Sequence, residues 1–236
     1  MFAASSLAEV FPEIGRAFET AHPGTSVTFS FGASSALATQ ITEGAPADVF
    51  AAADRATMER VTDRGEAHGP RVFTTNVPIV VKSGGARLPE TFANLATPGT
   101  RLVLAARDVP IGRYAREILT NASGPGGLGS DFSARVLANL RSEETNTRAV
   151  LAKVQLGEAD AGIVYRTDVP AANGEVTTIE IPQQYNVTAE YLVAPLRRSP
   201  RGELAAAFID YLLSHAGQAA LGARGFGAGN SASGGR

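Results

Sequence analysis

The chain has 236 residues, 44% of them hydrophobic and 19% charged, so it can bury an ordinary core in one large domain or two medium ones. Its net charge of −2 comes without a Lys- or Arg-rich run, and we therefore expect neither nucleic acids nor anionic membranes as partners. Because it has no cysteine and no apolar stretch of about 20 residues, the sequence excludes thiol catalysis, disulfides, Cys-based metal sites and a membrane-spanning helix.

Strands and helices alternate along the first part of the chain, which predicts an α/β architecture. Ser6 and Glu9 fit a capping box before the first helix, where apolar residues recur at helical spacing. Pro12 lies inside this helix and is expected to kink it. The sequence then predicts a strand at 27–31, a helix at 35–43, a strand at 48–52, a helix capped by Asp54 that ends near 64, and a long strand at 72–82.

The second part of the chain continues this alternation. It predicts strands at 102–105, 162–165, 176–181 and 186–196, and helices from Pro110 to about 121, around 132–140, from 147 to 157 and at 204–213. The long strands at 72–82 and 186–196 are suited to crossing between two lobes. We therefore predict a discontinuous first lobe (1–79 and 186–226), a second lobe at 80–185, and a disordered tail rich in Gly and Ser at 227–236.

Little in the sequence indicates an enzyme. The three histidines have no metal-binding spacing, no Gly-x-Ser-x-Gly elbow is present, and the pattern favours exposed surface histidines at 22, 68 and 215. Glu143 and Glu144 are typical of a polar, solvent-exposed stretch just before a helix (a solvated helix entrance) rather than of an acid/base pair. The glycine run at 124–129 lacks the Gly-Lys-[Ser/Thr] of a phosphate-binding loop and is predicted to be an ordinary loop. We therefore expect a protein without catalytic residues.

Five positions favour binding of an oxyanion. Ser6 and Ser34 each follow a strand and precede a helix, Ile111 and Thr147 lie at helix starts, and Tyr165 ends a short apolar strand. Helix starts offer free backbone N–H groups and a partial positive charge, and a hydroxyl beside them adds a donor. Taken alone, each serine is more typical of an ordinary N-cap than of a ligand-binding residue, and the tyrosine is typical of a rim residue with its hydroxyl in water.

Several short segments, taken in chain order, resemble segments of one known protein family. They are residues 2–7, 31–35, 44–50 (Gly-Ala-Pro-Ala-Asp-Val-Phe), 109–115 (Val-Pro-Ile-Gly-Arg-Tyr-Ala) and 162–165. Together they resemble the molybdate-binding solute receptors of bacterial ABC importers, from residue 2 to about 226. Segments 44–50 and 109–115 are the most specific part of this resemblance.

The resemblance implies a two-lobed periplasmic-binding-protein fold of type II-like organisation, in which each lobe is a sheet flanked by helices and the ligand lies in the interlobe cleft. Carried over by motif, the ligand-binding groups are the hydroxyls of Ser6, Ser34 and Tyr165 and the backbone amides of Ile111 and Thr147. Family members often have Val at the position of Thr147, so the hydroxyl of Thr147 could add a contact or alter size selection. Molybdate would be bound as an oxyanion, with no direct bond between metal and protein.

The resemblance also implies a biological setting. We expect no cofactor, a monomer, an extracytoplasmic location that is periplasmic or lipid-anchored, and docking of a closed, anion-bound form on the transmembrane subunits of an ABC permease. No signal-peptide pattern is visible at the N-terminus, and we expect the natural precursor to begin earlier than Met1.

The chemistry of such a site favours molybdate, a dianion with four acceptor oxygens and no proton near neutral pH. Phosphate carries a proton that would face donors only, so it should be penalised. Tungstate, of nearly equal size, should bind similarly, whereas sulfate differs from molybdate in size alone.

Alternative functions remain open from the sequence. One is a receptor for another tetrahedral oxyanion such as sulfate. A second is a non-transport anion-sensing domain, which in a regulator would need a DNA-binding module. A third is a hydrolase that uses Ser6 or Ser34, and it would need a histidine partner that no motif supplies.

Overall fold

The structure, a computed structural model, describes residues 1–229 and divides the chain into two units. Unit 1 comprises Met1–Asn76 and the chain from Glu190 onward, and unit 2 comprises Val77–Ala189. The helices are α1 (Phe11–Ala21), α2 (Ser34–Thr42), α3 (Arg55–Thr62), α4 (Pro110–Ala122), α5 (Phe132–Ala138), α6 (Thr147–Gln155), α7 (Gly202–Leu213) and α8 (His215–Ala223). The strands are β1 (Phe2–Ala4), β2 (Ser30–Gly32), β3 (Val49–Ala52), β4 (Arg71–Asn76), β5 (Pro78–Ser83), β6 (Leu102–Ala105), β7 (Leu140–Glu144), β8 (Ala161–Tyr165), β9 (Val176–Ile179), β10 (Ala189–Pro195) and β11 (Gly227–Ala228).

The sheet of unit 1 has the strand order β11-β4-β10-β3-β1-β2. Strand β1 is parallel to both β2 and β3, whereas β10 is antiparallel to β3. Ala4 lies opposite Gly32, and Ala3 lies opposite Ala51. The carboxyl ends of β1, β2 and β3 therefore meet at one edge of this sheet, and each is followed by a helical segment.

The sheet of unit 2 has the strand order β7-β6-β8-β5-β9. Strand β6 is parallel to β7 and β8, and β5 is antiparallel to β8 and β9. Ala105 lies opposite Glu144, and Val103 lies opposite Gly162. The carboxyl ends of β6, β7 and β8 therefore also share one edge.

Each unit has its own apolar core. In unit 1, all four residues of β3 are buried, and Phe11 packs against Phe29, Phe73 and Phe208 with ring centroids 5.8 to 6.4 Å apart. In unit 2, all of β8 is buried. Continuous burial is expected of strands that are covered by helices on both faces. The predicted α/β class, with one sheet and flanking helices in each part, is confirmed.

The lobe limits predicted from sequence differ from those of the units. The predicted strand at 72–82 is two strands in different sheets, because β4 ends at Asn76 and β5 begins at Pro78. Proline has no N–H for a sheet ladder and is tolerated at the first residue of a strand, which explains this break. Residues 77–79 and 186–189 therefore belong to unit 2 instead of the predicted first lobe.

The predicted disordered tail begins too early. Gly227 and Ala228 form β11, which pairs antiparallel with Thr75 and Thr74 of β4. The rest of that prediction, residues 230–236, lies outside the described residues. Helix α8 and strand β7 were not predicted from the sequence, because α8 follows α7 directly and β7 is only partly buried.

The start of the first helix was also predicted incorrectly. Residues 5–7 form a separate 3₁₀ turn, and neither its N-cap, Ala4, nor Val10, the N-cap of α1, provides a side-chain cap, so the Ser6–Glu9 capping box is wrong. Pro12 lies in the first turn of α1, where a missing N–H costs no helical hydrogen bond, and the predicted kink is therefore wrong as well. No helix within residues 1–229 has the length and apolar character that crossing a membrane would require.

Candidate functional site

Ser6 lies in the 3₁₀ turn that follows β1, and it is almost fully buried. Its Oγ lies 2.8 Å from the phenol oxygen of Tyr191, a residue of β10 that is 0% exposed. The amide nitrogen of Asn76 lies 3.4 Å from the same phenol oxygen. The hydroxyl of Ser6 is thus held by a buried polar group of the sheet instead of capping a helix.

Ser34 is the first residue of α2, whose N-cap is Ala33, and it is 1% exposed. Its Oγ accepts the backbone N–H of Ala53 at 3.0 Å, directly after β3. No side-chain cap is present at the start of α2, so the N-cap interpretation is wrong for this serine as it is for Ser6. A hydroxyl whose oxygen accepts one bond can still donate its own proton to another group.

The two serines lie at one edge of the unit 1 sheet. Each is two residues beyond a member of the pair Ala4 and Gly32, which face each other at the ends of β1 and β2. At this edge the first intrahelical bond of α2 runs from Leu37 N to Ala33 O, so the N–H groups of residues 34–36 precede the helical ladder. The arrangement supplies donors without a formal positive charge.

Ile111 and Thr147 lie at the corresponding edge of the unit 2 sheet. Ile111 is the second residue of α4, and the first bond of that helix runs from Arg113 N to Val109 O. Thr147 is the first residue of α6, whose N-cap Asn146 accepts the N–H of Ala149 at 3.0 Å. The N–H groups of both predicted residues therefore precede the helical ladder, as an amide donor to an anion requires.

Thr147 and Tyr165 are joined by a buried carboxylate that sequence reasoning missed. Oδ2 of Asp168, 0% exposed, accepts the hydroxyl of Thr147 at 2.7 Å and the backbone N–H of Tyr165 at 3.1 Å. Oδ1 lies 3.3 Å from Nε of Arg148, which supplies the balancing charge. The hydroxyl of Thr147 thus donates to Asp168, and this leaves its backbone amide for the predicted role.

A second partly buried cation lies on the same helix as Ile111. Arg116, in the second turn of α4, donates to the carbonyl oxygens of Ala105 at 3.0 Å and Gly112 at 2.7 Å, and it forms an ion pair with Glu143. Burial lowers the pKa of its guanidinium, and the charge of Glu143 opposes that shift. These contacts fasten the end of β6 to the start of α4, where Ile111 lies.

Glu143 and its neighbour Glu144 belong to β7, so the prediction of a solvated helix entrance is wrong. Lys153 of α6 forms an ion pair with Glu144 at 2.7 Å and donates to Ser142 at 3.0 Å. Burial alone would raise the pKa of Glu144, but the hydrogen bonds from Lys153 and Ser142 and the lysine charge outweigh it and lower the pKa. This ion pair ties α6, and with it Thr147, to the sheet.

The residues that contact the predicted site residues differ in how visible they are in the sequence. Asp168 stands three residues after Tyr165, and its carboxylate accepts the backbone N–H of Tyr165; this is the spacing of a capping box and could have been noticed. Tyr191 and Asn76 have no such local signal, because they meet Ser6 only through the sheet. Within residues 1–229, no group of three His, Asp or Glu side chains is arranged to hold a metal ion.

Comparison with known proteins gives the family. The model of the family described as bacterial extracellular solute-binding protein matches residues 1–227. The chain belongs to this family. Its members are solute-binding proteins, and the family description agrees with the expected location outside the cytoplasm.

Three similar proteins illustrate the match. The molybdate-binding protein ModA of Mycobacterium tuberculosis is 38% identical over 228 residues, which cover 96% of this chain and 83% of that protein. The periplasmic molybdate-binding protein of Azotobacter vinelandii is 20% identical with a TM-score of 0.80, covering 95% of this chain and 96% of the other. The sulfate-binding protein SubI of Mycobacterium tuberculosis is 18% identical with a TM-score of 0.86, covering 95% of this chain and 84% of that protein. The two structures confirm the predicted periplasmic-binding-protein fold.

Proposed function

We propose that this chain is an extracytoplasmic receptor that captures molybdate, and tungstate similarly, for delivery to an ABC permease. The relative at 38% identity, a molybdate-binding protein, supports this assignment over nearly the whole chain. The observation that carries it is the hydrogen bond from Ala53 N to Ser34 Oγ. That bond occupies the oxygen of a buried hydroxyl and leaves its proton for an anion.

We propose that the anion-binding groups of unit 1 are the hydroxyls of Ser6 and Ser34. In unit 2 we propose the backbone amides of Ile111 and Thr147 and the hydroxyl of Tyr165. Helix starts carry about +0.5 elementary charge each, so α2, α4 and α6 could together offset most of the −2 charge of molybdate. The partly buried cations Arg116 and Arg148 are each paired with a carboxylate, so neither pair adds net charge.

The donor set explains the proposed selectivity. Burying a dianion is costly unless every oxygen is hydrogen-bonded, and this set consists of donors. The hydroxyl of Thr147 does not join the set because it donates to Asp168. A protonated anion such as hydrogen phosphate would place its own O–H against donors and lose affinity. Sulfate has the same charge and shape as molybdate, and only size separates the two.

The proposal also covers the oligomeric state, the cofactor and the partner of the protein. We propose that the protein binds its ligand as a monomer, without a cofactor and without catalysis, and that transmembrane permease subunits are its partner. The shift towards a closed form on binding, which the resemblance implies, stays a prediction.

A thermal-shift panel tests the proposed function. The protein is melted alone and with molybdate, tungstate, sulfate or phosphate at equal concentration and ionic strength. Ligand that binds only the folded state raises the melting temperature by mass action, so a clear rise is expected with molybdate and tungstate. A rise with sulfate alone, or with none of the anions, would contradict the proposal.

A further inference from the structure

We propose that Arg107 steers the anion towards the donors of unit 2, so that its charge raises the rate of association without contacting the bound anion. This inference rests on the proposed function, since it concerns how the same anion reaches the proposed site. Arg107 belongs to unit 2 and lies between β6 and α4, outside the set of proposed donors.

Arg107 lies in the turn that joins β6 to α4. The hydrogen bond from Val109 N to Ala106 O, 3.0 Å long, closes this turn. Strand β6 ends at Ala105, and Ile111 is the second residue of α4. Arg107 therefore lies at the edge of the sheet where the carboxyl ends of β6, β7 and β8 meet, which is the edge that presents the proposed donors of unit 2.

The charge of Arg107 is not used within the protein. The residue is exposed, and within residues 1–229 its guanidinium makes no hydrogen bond and no ion pair. Three other cations on the elements of this edge each pair with a carboxylate, namely Arg116 with Glu143, Arg148 with Asp168 and Lys153 with Glu144. The field of an unpaired, exposed charge extends into the solvent, where it acts on an approaching ion.

The charge of Arg107 acts on the start of α4. The guanidinium of Arg116 donates to backbone carbonyls at the junction of β6 and α4. Burial lowers the pKa of this guanidinium, the charge of Glu143 opposes that shift, and the charge of Arg107 adds to it. Asp108, the neighbour of opposite sign in the turn, is not among the groups that shift this pKa. Of the two charges in the turn, that of Arg107 therefore acts more strongly on the junction beside Ile111.

The charge of Arg107 matters because the chain as a whole repels a dianion. Its net charge is −2, and the proposed donors are hydroxyls and amides without formal charge. The partial charges of helix starts fall off within the first turn, so they attract a distant anion weakly. A full charge acts over the screening length, about 30 Å at about 10 mM salt and about 3 Å at about 1 M salt. The association rate should therefore depend on Arg107 at low ionic strength only.

Three variants separate steering from other roles. Arg107→Gln removes the charge, and Arg107→Lys keeps the charge while it removes the planar guanidinium. Arg87→Gln is the matched control, because it changes the net charge of the chain by the same amount. Arg87 is exposed, and within the described residues its side chain makes no hydrogen bond and no ion pair. It follows β5, which runs antiparallel to β8 and ends at the opposite edge of the same sheet.

The experiment measures the association and dissociation rates of molybdate by stopped-flow mixing at ionic strengths of about 10 mM and about 1 M. Tyrosine fluorescence supplies the signal, because the chain has five tyrosines and no tryptophan, and calorimetric titration gives the dissociation constant independently.

At low ionic strength Arg107→Gln should lower the association rate constant about two- to fourfold, the effect of one charge on a dianion about 10 Å away in water. The dissociation rate constant should not change, because a charge that does not contact the anion acts on its approach. Arg107→Lys and Arg87→Gln should match the parent. At high ionic strength Arg107→Gln should associate as fast as the parent does.

An association rate constant that Arg107→Gln leaves unchanged at low ionic strength would overturn the steering role. An equal loss in Arg87→Gln or in Arg107→Lys, a loss that persists at high ionic strength, or a change in the dissociation rate constant would overturn it as well. If the parent binds sulfate instead of molybdate, the proposed function fails, and the same rates measured with sulfate still test Arg107. A parent that binds none of these anions overturns both proposals.

Discussion

The hydroxyl of Thr147 donates to Oδ2 of Asp168 at 2.7 Å, although the two residues are 21 positions apart in the chain. This bond links the start of α6 to the 3₁₀ segment that follows β8, and it fixes which group of Thr147 is available to a ligand. It also explains how threonine can occupy a position where the resembling receptors often have valine, since the hydroxyl is used within the protein.

Replacing Thr147 with valine should lower stability and spare binding. Asp168 would lose one hydrogen bond inside the protein, at a cost of about 1 kcal/mol in the free energy of unfolding. The backbone amide would remain, so the molybdate dissociation constant should stay within about twofold of the parent. Urea unfolding and calorimetric titration measure the two quantities. A large loss of affinity without a loss of stability would show that the hydroxyl itself contacts the anion.

Replacing Ser34 with alanine should weaken binding strongly. The change removes a donor to the anion and leaves the N–H of Ala53 without its acceptor. The expected cost in binding free energy is about 1 to 3 kcal/mol, measured by calorimetry. Ser35→Ala is the matched control, a buried serine one position further along α2, and it should bind as the parent does. Equal affinity of the Ser34 variant and the parent would refute the site assignment.

Replacing Gly112 with alanine should disrupt the start of α4. A Cβ atom there would lie 2.0 Å from the carbonyl oxygen of Ala106 and 2.5 Å from that of Ala105, which requires the backbone beside Ile111 to move. We expect a loss of about 1 to 3 kcal/mol in stability, together with weaker molybdate binding. Thermal melts and titrations measure the two effects.

The control for this change is Gly222→Ala, in α8. Apart from its chain neighbours and the backbone of its own helix, its Cβ would meet no atom within 4 Å, and alanine favours a helix over glycine by about 0.5 to 1 kcal/mol. That variant should be as stable as the parent or more so, with unchanged binding. If Gly112→Ala behaves in the same way, the start of α4 does not need the close approach seen in the structure.

Acid should destabilise unit 2 through Asp160. Partial burial alone would raise the pKa of this carboxyl, but the hydrogen bonds and charge of Arg101 outweigh it and hold the pKa below its ordinary value. A carboxyl with a lowered pKa stabilises the folded state above its unfolded pKa of about 3.9, and that stabilisation is lost as the pH falls through the folded value.

Asp160→Asn should therefore unfold at lower urea than the parent at pH 7, and the difference should shrink at pH 3. Asp131→Asn is the control, because Asp131 pairs with Arg135 on the surface with its side chain 67% exposed, and it should change little at either pH. If Asp160→Asn unfolds at lower urea than the parent by the same margin at pH 7 and at pH 3, the lowered pKa of Asp160 does not govern acid stability.

Much of the fold could be predicted from hydrophobic periodicity and local capping signals. Asp54 caps α3 as its position indicated, since its side chain accepts the N–H of Thr57 at 2.9 Å. The break between β4 and β5 at Pro78 was missed, because residues typical of strands lie on both sides of it and make the segment look like one long strand. Strand β11 was missed because a Gly-rich sequence carries no strand pattern, and only pairing with β4 defines it.

The site residues were predicted from the order of the motifs, whereas the groups that contact them in the structure were not predicted. Each of the two serines looked like a helix cap in sequence, yet each is held by a residue far along the chain, Tyr191 for Ser6 and Ala53 for Ser34. Such partners depend on strand order within the sheet. Hydrophobic periodicity predicts that strands exist, but it does not specify which strands become neighbours.

Calorimetric titration of the protein with molybdate, followed by competition with tungstate, sulfate and phosphate, tests the central claim most directly. The account predicts one molybdate per chain, competition by tungstate at similar concentration, and much weaker competition by sulfate and phosphate. Displacement of molybdate by an equal concentration of sulfate or phosphate, or the absence of saturable molybdate binding, would contradict it.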